Sequence, residues 1–95
     1  MSHSMTYDAV ITVIGRDQIG IIAAVTELLA KAKINILDIS QTILQDMFTM
    51  VMLVDIRQMN ESMEVVQQAL AHLGETMSLQ IQFQHKAIFR EMQRI

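Results

Sequence analysis

The sequence predicts an α+β fold in which two helices cover one face of a four-stranded antiparallel sheet. Three observations lead to this prediction. The 95 residues are 52% apolar and 18% charged, which supplies one hydrophobic core and excludes a disordered chain. The spacing of apolar residues changes from that of a strand to that of a helix and back along the chain. Only Gln45 and Asp46 separate two long strand-like segments, which predicts an antiparallel hairpin.

The first half of the chain contains a strand, a helix and a second strand. Residues Tyr7–Ile14 are rich in β-branched side chains and nearly apolar on both faces, as expected of a central strand. From Ile21 the apolar residues fall on one face of a helix, and Lys31 and Lys33 lie near its C-terminal end, where the helix dipole favours cations. Residues Ile34–Leu44 return to strand character.

The second half repeats this pattern and adds a terminal helix. Met47–Arg57 forms the second strand of the hairpin, and Asn60 is predicted to cap a helix that stops at Gly74. Met77–Gln84 alternates between apolar and polar side chains, and Lys86–Ile95 has the spacing of a short amphipathic helix. The order βαββαβ predicts a ferredoxin-like sandwich built from two interleaved units, with a short C-terminal helix.

The predicted third strand has apolar residues on both of its faces. Met47, Val51 and Leu53 alternate with apolar residues that point the other way. Because both helices lie on one face of the sheet, the opposite face has no cover from them. An exposed apolar sheet face indicates an interface. We therefore expect a tight homodimer.

Composition excludes several classes of function. The net charge of −3 argues against a nucleic-acid-binding surface, which is normally basic. The chain has no cysteine, so it contains no disulfide, thiolate metal site or thiol nucleophile. His72 and His85 have no carboxylate at metal-ligand spacing, and Ser40 lacks the partners of a catalytic triad. We therefore predict a protein that is not an enzyme and that uses no cofactor and no metal.

The chain also lacks the signals of membrane insertion or export. Its longest apolar runs have about five residues, whereas a spanning helix needs roughly 20. Residues 1–9 are polar and show no signal segment. These observations predict a soluble, cytoplasmic protein. Residues 1–4 are interpreted as vector-derived, and residues 5–95 as a single domain.

The segment between the first strand and the first helix is the strongest candidate for a binding site. It is bounded by Gly15 and Gly20, and glycine lets the backbone approach a ligand closely. The free N–H groups of a helix's first turn favour an anion such as a carboxylate. The segment matches neither the three-glycine dinucleotide fingerprint nor a P-loop. In the structural alternative, Asp17 caps the helix and Gly20 allows the helix to pack closely on the sheet.

A family resemblance rests on this segment together with the start of the second strand. The run Gly15–Ile21, followed by a helix and Ile34-Asn35-Ile36, resembles an ACT domain over Tyr7–Gln84. The phrases Asp38–Thr42 and Phe48–Met50 resemble small stand-alone ACT proteins of bacteria and archaea. The first loop is also similar to that of the N-terminal ACT domains of the glycine cleavage repressor and of formyltetrahydrofolate deformylase.

The resemblance implies a regulatory module that binds an amino acid or a related small carboxylate between two subunits of a homodimer. By position, the backbone N–H groups of the loop would hold the ligand carboxylate, and the Asn35 amide beside it would meet the ammonium or the carboxylate. This loop lacks the proline that is common in the family. The ligand-binding residues implied are Gly15, Arg16, Asp17, Gln18, Ile19, Gly20, Ile21, Asn35 and Ile36.

A second hypothesis comes from the apolar sheet face rather than from the loop. The chain would then be a ligand-free assembly or adaptor module that binds a partner protein through this face and through the C-terminal helix. Stabilisation by one small molecule distinguishes the first hypothesis from the second.

Overall fold

Six elements follow one another in the predicted order in the computed structural model, which describes residues 7–87. The strands form one antiparallel sheet in the order β2-β3-β1-β4. The βαββαβ order and this arrangement confirm the ferredoxin-like prediction. The elements are β1 (Ala9–Arg16), α1 (Ile21–Lys31), β2 (Asn35–Leu44), β3 (Met47–Asp55), α2 (Met63–Met77) and β4 (Leu79–His85).

Two expectations concern residues outside the described range. The predicted C-terminal helix spans Lys86–Ile95, and the described chain reaches only its first two positions, Lys86 and Ala87, where the backbone is helical. The residues interpreted as vector-derived, 1–4, also lie outside the described range.

The core lies between the sheet and the two helices. β1 pairs with β3 on one side and with β4 on the other, which explains why a central, nearly apolar strand was expected there. Alternate residues of the strands point towards the helices and are almost completely buried. The core is formed by Ala9, Ile11, Val13, Phe48, Met50, Met52, Val54, Leu79 and Phe83 from the sheet, and by Ile21, Val25, Leu29, Val66 and Leu70 from the helices.

The ends of α2 differ from the prediction. Ser62, not Asn60, caps the helix, because the Ser62 hydroxyl accepts a hydrogen bond from the Val65 N–H at 3.1 Å. Asn60 instead joins the two helices: its side-chain amide donates to the Lys31 carbonyl at 3.0 Å. The prediction that Gly74 ends α2 is also wrong, since the helix continues through Met77.

The close approach of α2 to β4 explains the glycine inside the helix. A Cβ atom at Gly74 would lie 2.6 Å from the carbonyl oxygen of Leu79. The helix ends where Ser78 adopts a left-handed conformation with φ 57°. Gly74 therefore makes room for the start of β4 and is not a stop signal.

α1 ends in a Schellman motif. The N–H of Lys33 donates to Ala30, and the N–H of Ile34 donates to Leu29, at 3.1 and 3.0 Å. Lys33 has φ 63°, the left-handed conformation that glycine normally supplies at this position. Lys33 therefore belongs to the turn before β2, beyond the last helical residue, Lys31.

One face of the sheet carries no described helix. This open face consists of the alternate residues that point away from the core, as the strand registers show. Met47 and Ile14 on it are 51% and 43% exposed, while Val51 and Leu53 are half-buried. The open face comprises Val10, Thr12 and Ile14 of β1, Asp38, Ser40, Thr42 and Leu44 of β2, Met47, Thr49, Val51 and Leu53 of β3, and Gln80, Gln82 and Gln84 of β4.

Candidate ligand-binding site

The loop between β1 and α1 is fixed at both of its sides by hydrogen bonds. The N–H of Asp17 donates to the carbonyl of Asp46 at 2.7 Å, which joins the loop to the β2–β3 turn. The side-chain amide of Gln18 donates to the carbonyl of Met77 at 2.8 Å, which joins it to the end of α2. Ile19 stands where the resemblance to the family implies proline, so these bonds order a loop that lacks that constraint.

α1 begins at a left-handed glycine and has no side-chain cap. Gly20 has φ 93°, and its carbonyl accepts the first hydrogen bond of the helix from Ala24 at 2.9 Å. Asp17 therefore does not cap the helix, contrary to the structural alternative. The first-turn N–H groups receive no acceptor from any side chain in the described part of the chain, so they are available to an anion.

The two loop glycines have different roles. A Cβ atom at Gly20 would meet no atom within 4 Å, so Gly20 is needed for its positive φ and not for close packing of the helix on the sheet. At Gly15 a Cβ atom would lie 2.5 Å from Leu79 Cδ2 and 3.1 Å from the Ser78 carbonyl oxygen. Gly15 therefore allows the end of β1 to pack against the start of β4.

The loop presents most of its side chains to solvent. Arg16, Asp17 and Gln18 are exposed, and Ile19 is 100% exposed. Ile21 is buried in the core and holds the first turn of α1 against the sheet. The accessible part of the predicted site thus consists of backbone N–H groups, polar side chains and one isoleucine.

Asn35 and Ile36 lie at the other end of the sheet from the loop. Asn35 pairs with Asp55, whereas Arg16 at the loop pairs with Met47. Eight residue steps of β3 separate these pairs, or about 27 Å at 3.4 Å per residue. α1 returns the chain across the sheet before β2 begins. The expectation that Asn35 lies beside the loop is therefore wrong within one chain.

Asn35 contributes to two clefts at its own end of the sheet. One, of about 490 Å³, is polar and is lined by Lys33, Ile34, Asn35, Asp55, Arg57 and Gln58. The other, of about 560 Å³, lies between α1 and β2 and is lined by Ala23, Thr26, Glu27, Ala30, Ile34, Asn35 and Ile36. The Asn35 side chain is exposed and lines both clefts.

A carboxylate–guanidinium pair in the polar cleft was not foreseen. β3 ends at Asp55, two residues earlier than predicted, and Arg57 folds back so that its Nε and Nη2 atoms donate to both carboxylate oxygens of Asp55 at 2.7 to 3.1 Å. These bonds, with one from the Arg57 N–H, lower the pKa of the Asp55 carboxyl. The Asp-x-Arg spacing at a strand end was the available signal.

The edge of the sheet next to Asn35 is formed by β2. Within residues 7–87 β2 pairs only with β3, so its other side carries backbone groups that no described strand pairs with. Ile39 and Ile43, which point towards the helix layer, are exposed, as is Ile22 of α1. The register shifts between Ile36 and Asp38, where the strand contains a bulge. Such an edge is able to pair with another strand.

Other candidate functions lack a site in residues 7–87. His72 and His85 are exposed, and this part of the chain contains no group of histidine and acidic side chains arranged to hold a metal ion. Neither described helix has the length and apolar character needed to cross a lipid bilayer.

The fold and the loop define a regulatory domain of known type. The family model for the ACT domain matches residues 8–84. A UPF0237 protein of Clostridium acetobutylicum is 48% identical over 87 residues, with 92% of this chain and 98% of that protein covered. Another, of Methanococcus maripaludis, is 47% identical over 88 residues, with 93% and 98% covered. The chain therefore belongs to the ACT domain family and, within it, to the small UPF0237 proteins.

Solved structures agree with this assignment. An ACT domain protein from Streptococcus pneumoniae is 35% identical and superposes with a TM-score of 0.75, covering 90% of this chain and 96% of that one. A structure that bears the name of a glycine cleavage system transcriptional repressor is 27% identical, with a TM-score of 0.69 over 83% of this chain and 45% of that one. ACT domains are regulatory and often bind ligands, and they are in general not catalytic.

Proposed function

We propose that this protein is a regulatory module that binds an amino acid or a related small carboxylate between two copies of itself. The observation that carries the proposal is the separation of the loop from Asn35. The two segments implied in binding lie at opposite ends of the sheet, so one chain alone does not combine them. None of the described strands pairs with the β2 edge that carries Asn35.

Antiparallel pairing of two β2 strands would bring the two segments together. In a twofold arrangement centred between Ile39 and Ser40, Asn35 of each copy lies opposite Leu44 of the other. Leu44 adjoins the turn whose Asp46 carbonyl holds the loop. Asn35 would thus reach the neighbouring copy's loop, and each dimer would contain two equivalent sites.

The chemistry of the two segments is complementary for a zwitterion. The first-turn N–H groups of α1, at the positive end of the helix dipole, suit a carboxylate. The Asn35 amide provides both a donor and an acceptor, and its oxygen suits an ammonium group. A ligand held by both copies favours one arrangement of the dimer over others, and a partner protein would respond to this shift in population.

The amino-acid composition supports a proposed cellular location and limits the class of partner. The absence of cysteine suits a reducing cytoplasm, and the net charge of −3 does not suit a nucleic-acid partner. The proposed module needs no cofactor, because binding and a change in dimer arrangement involve no bond making.

A second candidate function rests on the open face. Leu44 is 72% exposed there, beside Met47 and Ile14, which form an apolar surface at one end of the sheet. In this alternative the chain is a ligand-free adaptor that binds a partner protein through that surface.

A thermal-shift panel of the twenty amino acids, nucleotides and folates tests the proposal. A ligand at 100 times its Kd stabilises the folded state by about 2.7 kcal/mol, which is a visible shift in a domain of this size. Saturable stabilisation by an amino acid supports the proposed function. A chain that is monomeric by light scattering, or that responds to none of these compounds, contradicts it and favours the adaptor.

Two single variants locate the site once a ligand is found. We expect Asn35→Ala to weaken ligand binding more than tenfold, because a hydrogen bond to a charged group contributes roughly 1.5–3 kcal/mol. The same substitution should leave the melting temperature of the free protein unchanged. Asn60→Ala is the matched control, because the Asn60 amide bonds within the fold and its loss should lower stability without a selective effect on binding.

Mixed dimers test whether the site crosses between copies. A copy with Asn35→Ala has an unaltered β1–α1 loop, and a copy with Gly20→Val has an unaltered Asn35. If the site combines the loop of one copy with Asn35 of the other, a mixed dimer regains one intact site that neither variant dimer has. A mixed dimer that binds nothing would place both segments of the site in the same chain.

A further inference from the structure

The polar cleft at the start of β2 is lined by more cations than anions, although the chain as a whole is acidic. Its charged lining residues are Lys33, Arg57 and Asp55, whereas the net charge of the chain is −3. The carboxylate of Asp8 accepts the Ile56 N–H at 3.2 Å and does not line the cleft. An anion that enters this cleft therefore meets two cationic groups and one carboxylate that is already bound to Arg57.

The Arg57 guanidinium keeps hydrogen-bond donors for a ligand. Its Nε and Nη2 atoms donate to Asp55, which fixes the plane of the guanidinium. An arginine has five N–H donors, and this pair uses one on Nε and one on Nη2, so the others remain outside the pair. The Arg57 side chain is 79% exposed, against 13% for that of Asp55, so these donors are accessible. A carboxylate has two oxygens that match such a set of donors.

Lys33 is the second cation of the cleft, and its ammonium has no acidic partner in residues 7–87. The ion pairs of this range join Lys31 to Glu27 and Arg57 to Asp55. Lys33 also occupies a left-handed position, with φ 63°, that glycine would hold at lower cost. Costly backbone conformations cluster at functional sites. The turn itself does not require a lysine, so we interpret the Lys33 side chain as a ligand contact.

The other cleft at Asn35 shows neither of these features. Among the described residues that line it, between α1 and β2, only Glu27 is charged, and Glu27 already pairs with Lys31 at 3.7 Å. Asn35 lines both clefts, so a molecule bound at Asn35 has access to either one. A negatively charged side chain of the ligand would enter the polar cleft, whereas an apolar one would enter the cleft between α1 and β2.

We propose that the ligand of this protein is an amino acid with an acidic side chain, and that Lys33 and Arg57 bind its side-chain carboxylate in the polar cleft. This inference rests on the proposed function, in which the α-carboxylate meets the loop of the neighbouring copy and the ammonium meets the Asn35 amide. Both cations belong to the copy that contributes Asn35. Each site of the dimer would thus take its loop from one chain and its charge selectivity from the other.

Two pairs of amino acids that differ in charge but hardly in size test the assignment. Calorimetric titration compares L-glutamate with L-glutamine, and L-aspartate with L-asparagine. We expect at least one acid to bind about fivefold or more tightly than its amide, since an ion pair between exposed groups contributes up to about a factor of five. The preference should shrink in 1 M NaCl, where the Debye length is about 3 Å.

Variants at Lys33 show whether the preference arises in the polar cleft. Lys33→Gly removes the charge and the left-handed side chain together, so the free protein should keep its melting temperature while the preference for the acid falls about threefold or more. Lys33→Arg retains the charge and should retain the preference. Lys31→Met is the matched control, because Lys31 pairs with Glu27 and does not line the polar cleft.

The results that would overturn the inference differ from those that would overturn the proposed function. If the amides bind as tightly as the acids, or an apolar amino acid binds more tightly, the proposed function stands and the inference fails. If Lys33→Gly keeps the full preference, the acidic group binds elsewhere. If Lys33→Gly weakens acids and amides equally, Lys33 holds a group that all amino acids share, and the inference fails as well. If no amino acid binds, the proposed function fails and the inference fails with it.

Discussion

The side-chain amide of Gln18 donates to the main-chain carbonyl of Met77 across 2.8 Å, which connects the loop before α1 to the last residue of α2. The two residues are 59 positions apart in the chain. A second bond from the same amide, to the Arg16 carbonyl at 3.3 Å, closes the loop on itself. The conformation of the predicted ligand-binding loop therefore depends on the position of α2.

Gln18→Ala should weaken this connection. We expect a loss of about 0.5–1.5 kcal/mol in the free energy of unfolding, measured by urea denaturation, because hydrogen bonds of this kind have that net value. Gln18→Glu keeps the length of the side chain but removes the donor, so it should show a similar loss. Gln68→Ala, at an exposed position on α2, is the control. Equal stability of all four proteins would mean that the amide does not order the loop.

Substitutions at Gly20 should act through backbone strain alone. A Cβ atom there has free space, but φ is 93°. We expect Gly20→Ala to lower the free energy of unfolding by about 1–2 kcal/mol, the cost of a left-handed alanine. Gly20→Asn should lose less, because asparagine adopts this conformation more readily. If alanine and asparagine lower the urea midpoint equally, strain is not the cause.

Gly74→Ala should destabilise the fold although alanine is the better helix former. Alanine gains about 1 kcal/mol in helix propensity over glycine. Its Cβ atom would lie 2.6 Å from the Leu79 carbonyl oxygen, so α2 and β4 must separate. We expect a net loss of roughly 1–3 kcal/mol in thermal or urea unfolding. Ala71→Gly, at an exposed position on the same helix, should show the ordinary propensity cost of about 1 kcal/mol.

Lys33→Gly should stabilise the protein. A left-handed lysine costs about 1–2 kcal/mol, and glycine removes this cost while adding about 0.5–1 kcal/mol of entropy to the unfolded chain. The expected net gain is about 0.5 kcal/mol in urea denaturation. Lys31→Gly, inside the last turn of α1, should instead lose about 1 kcal/mol. A loss in both variants would show that the Lys33 side chain contributes more than its backbone costs.

The Asp55–Arg57 pair should make stability depend on acid pH. The folded-state pKa of Asp55 is lowered by the hydrogen bonds from Arg57, so the contribution is complete above the unfolded-state pKa of about 3.9 and is lost as pH falls towards the folded-state value. Arg57→Met should therefore lower the urea midpoint more at pH 7 than near pH 2. Lys31→Met, which breaks an exposed pair with Glu27, is the control and should change little at either pH.

The element order was predictable because each change in apolar spacing is local. The hairpin at Gln45 and Asp46 was also correctly placed, since two residues leave no other connection between long strands. The ends of the helices were harder to predict from the sequence. A glycine such as Gly74 is expected both where a helix stops and where a helix packs closely on a strand. The contact between Gly74 and Leu79, which distinguishes the two cases, is visible only in the folded structure.

The site was predictable in part for a similar reason. The loop from Gly15 to Ile21 forms one continuous segment, so its residues stay together in the fold. Asn35 follows it closely along the chain, but α1 carries Asn35 to the far end of the sheet. The Arg57 and Asp55 pair was missed because no recognised motif contains it, although its spacing of two residues was visible.

The position of β1 between β3 and β4 also affects how the protein forms during synthesis. The earliest described strand occupies the interior of the sheet, and one of its two partners, β4, is the last of the described strands to be synthesised. Until Leu79 and the residues after it emerge, half of the hydrogen-bonding groups of β1 have no strand to pair with. The synthesis of β4 therefore protects an edge of β1 that is open to pairing with other chains before β4 has formed.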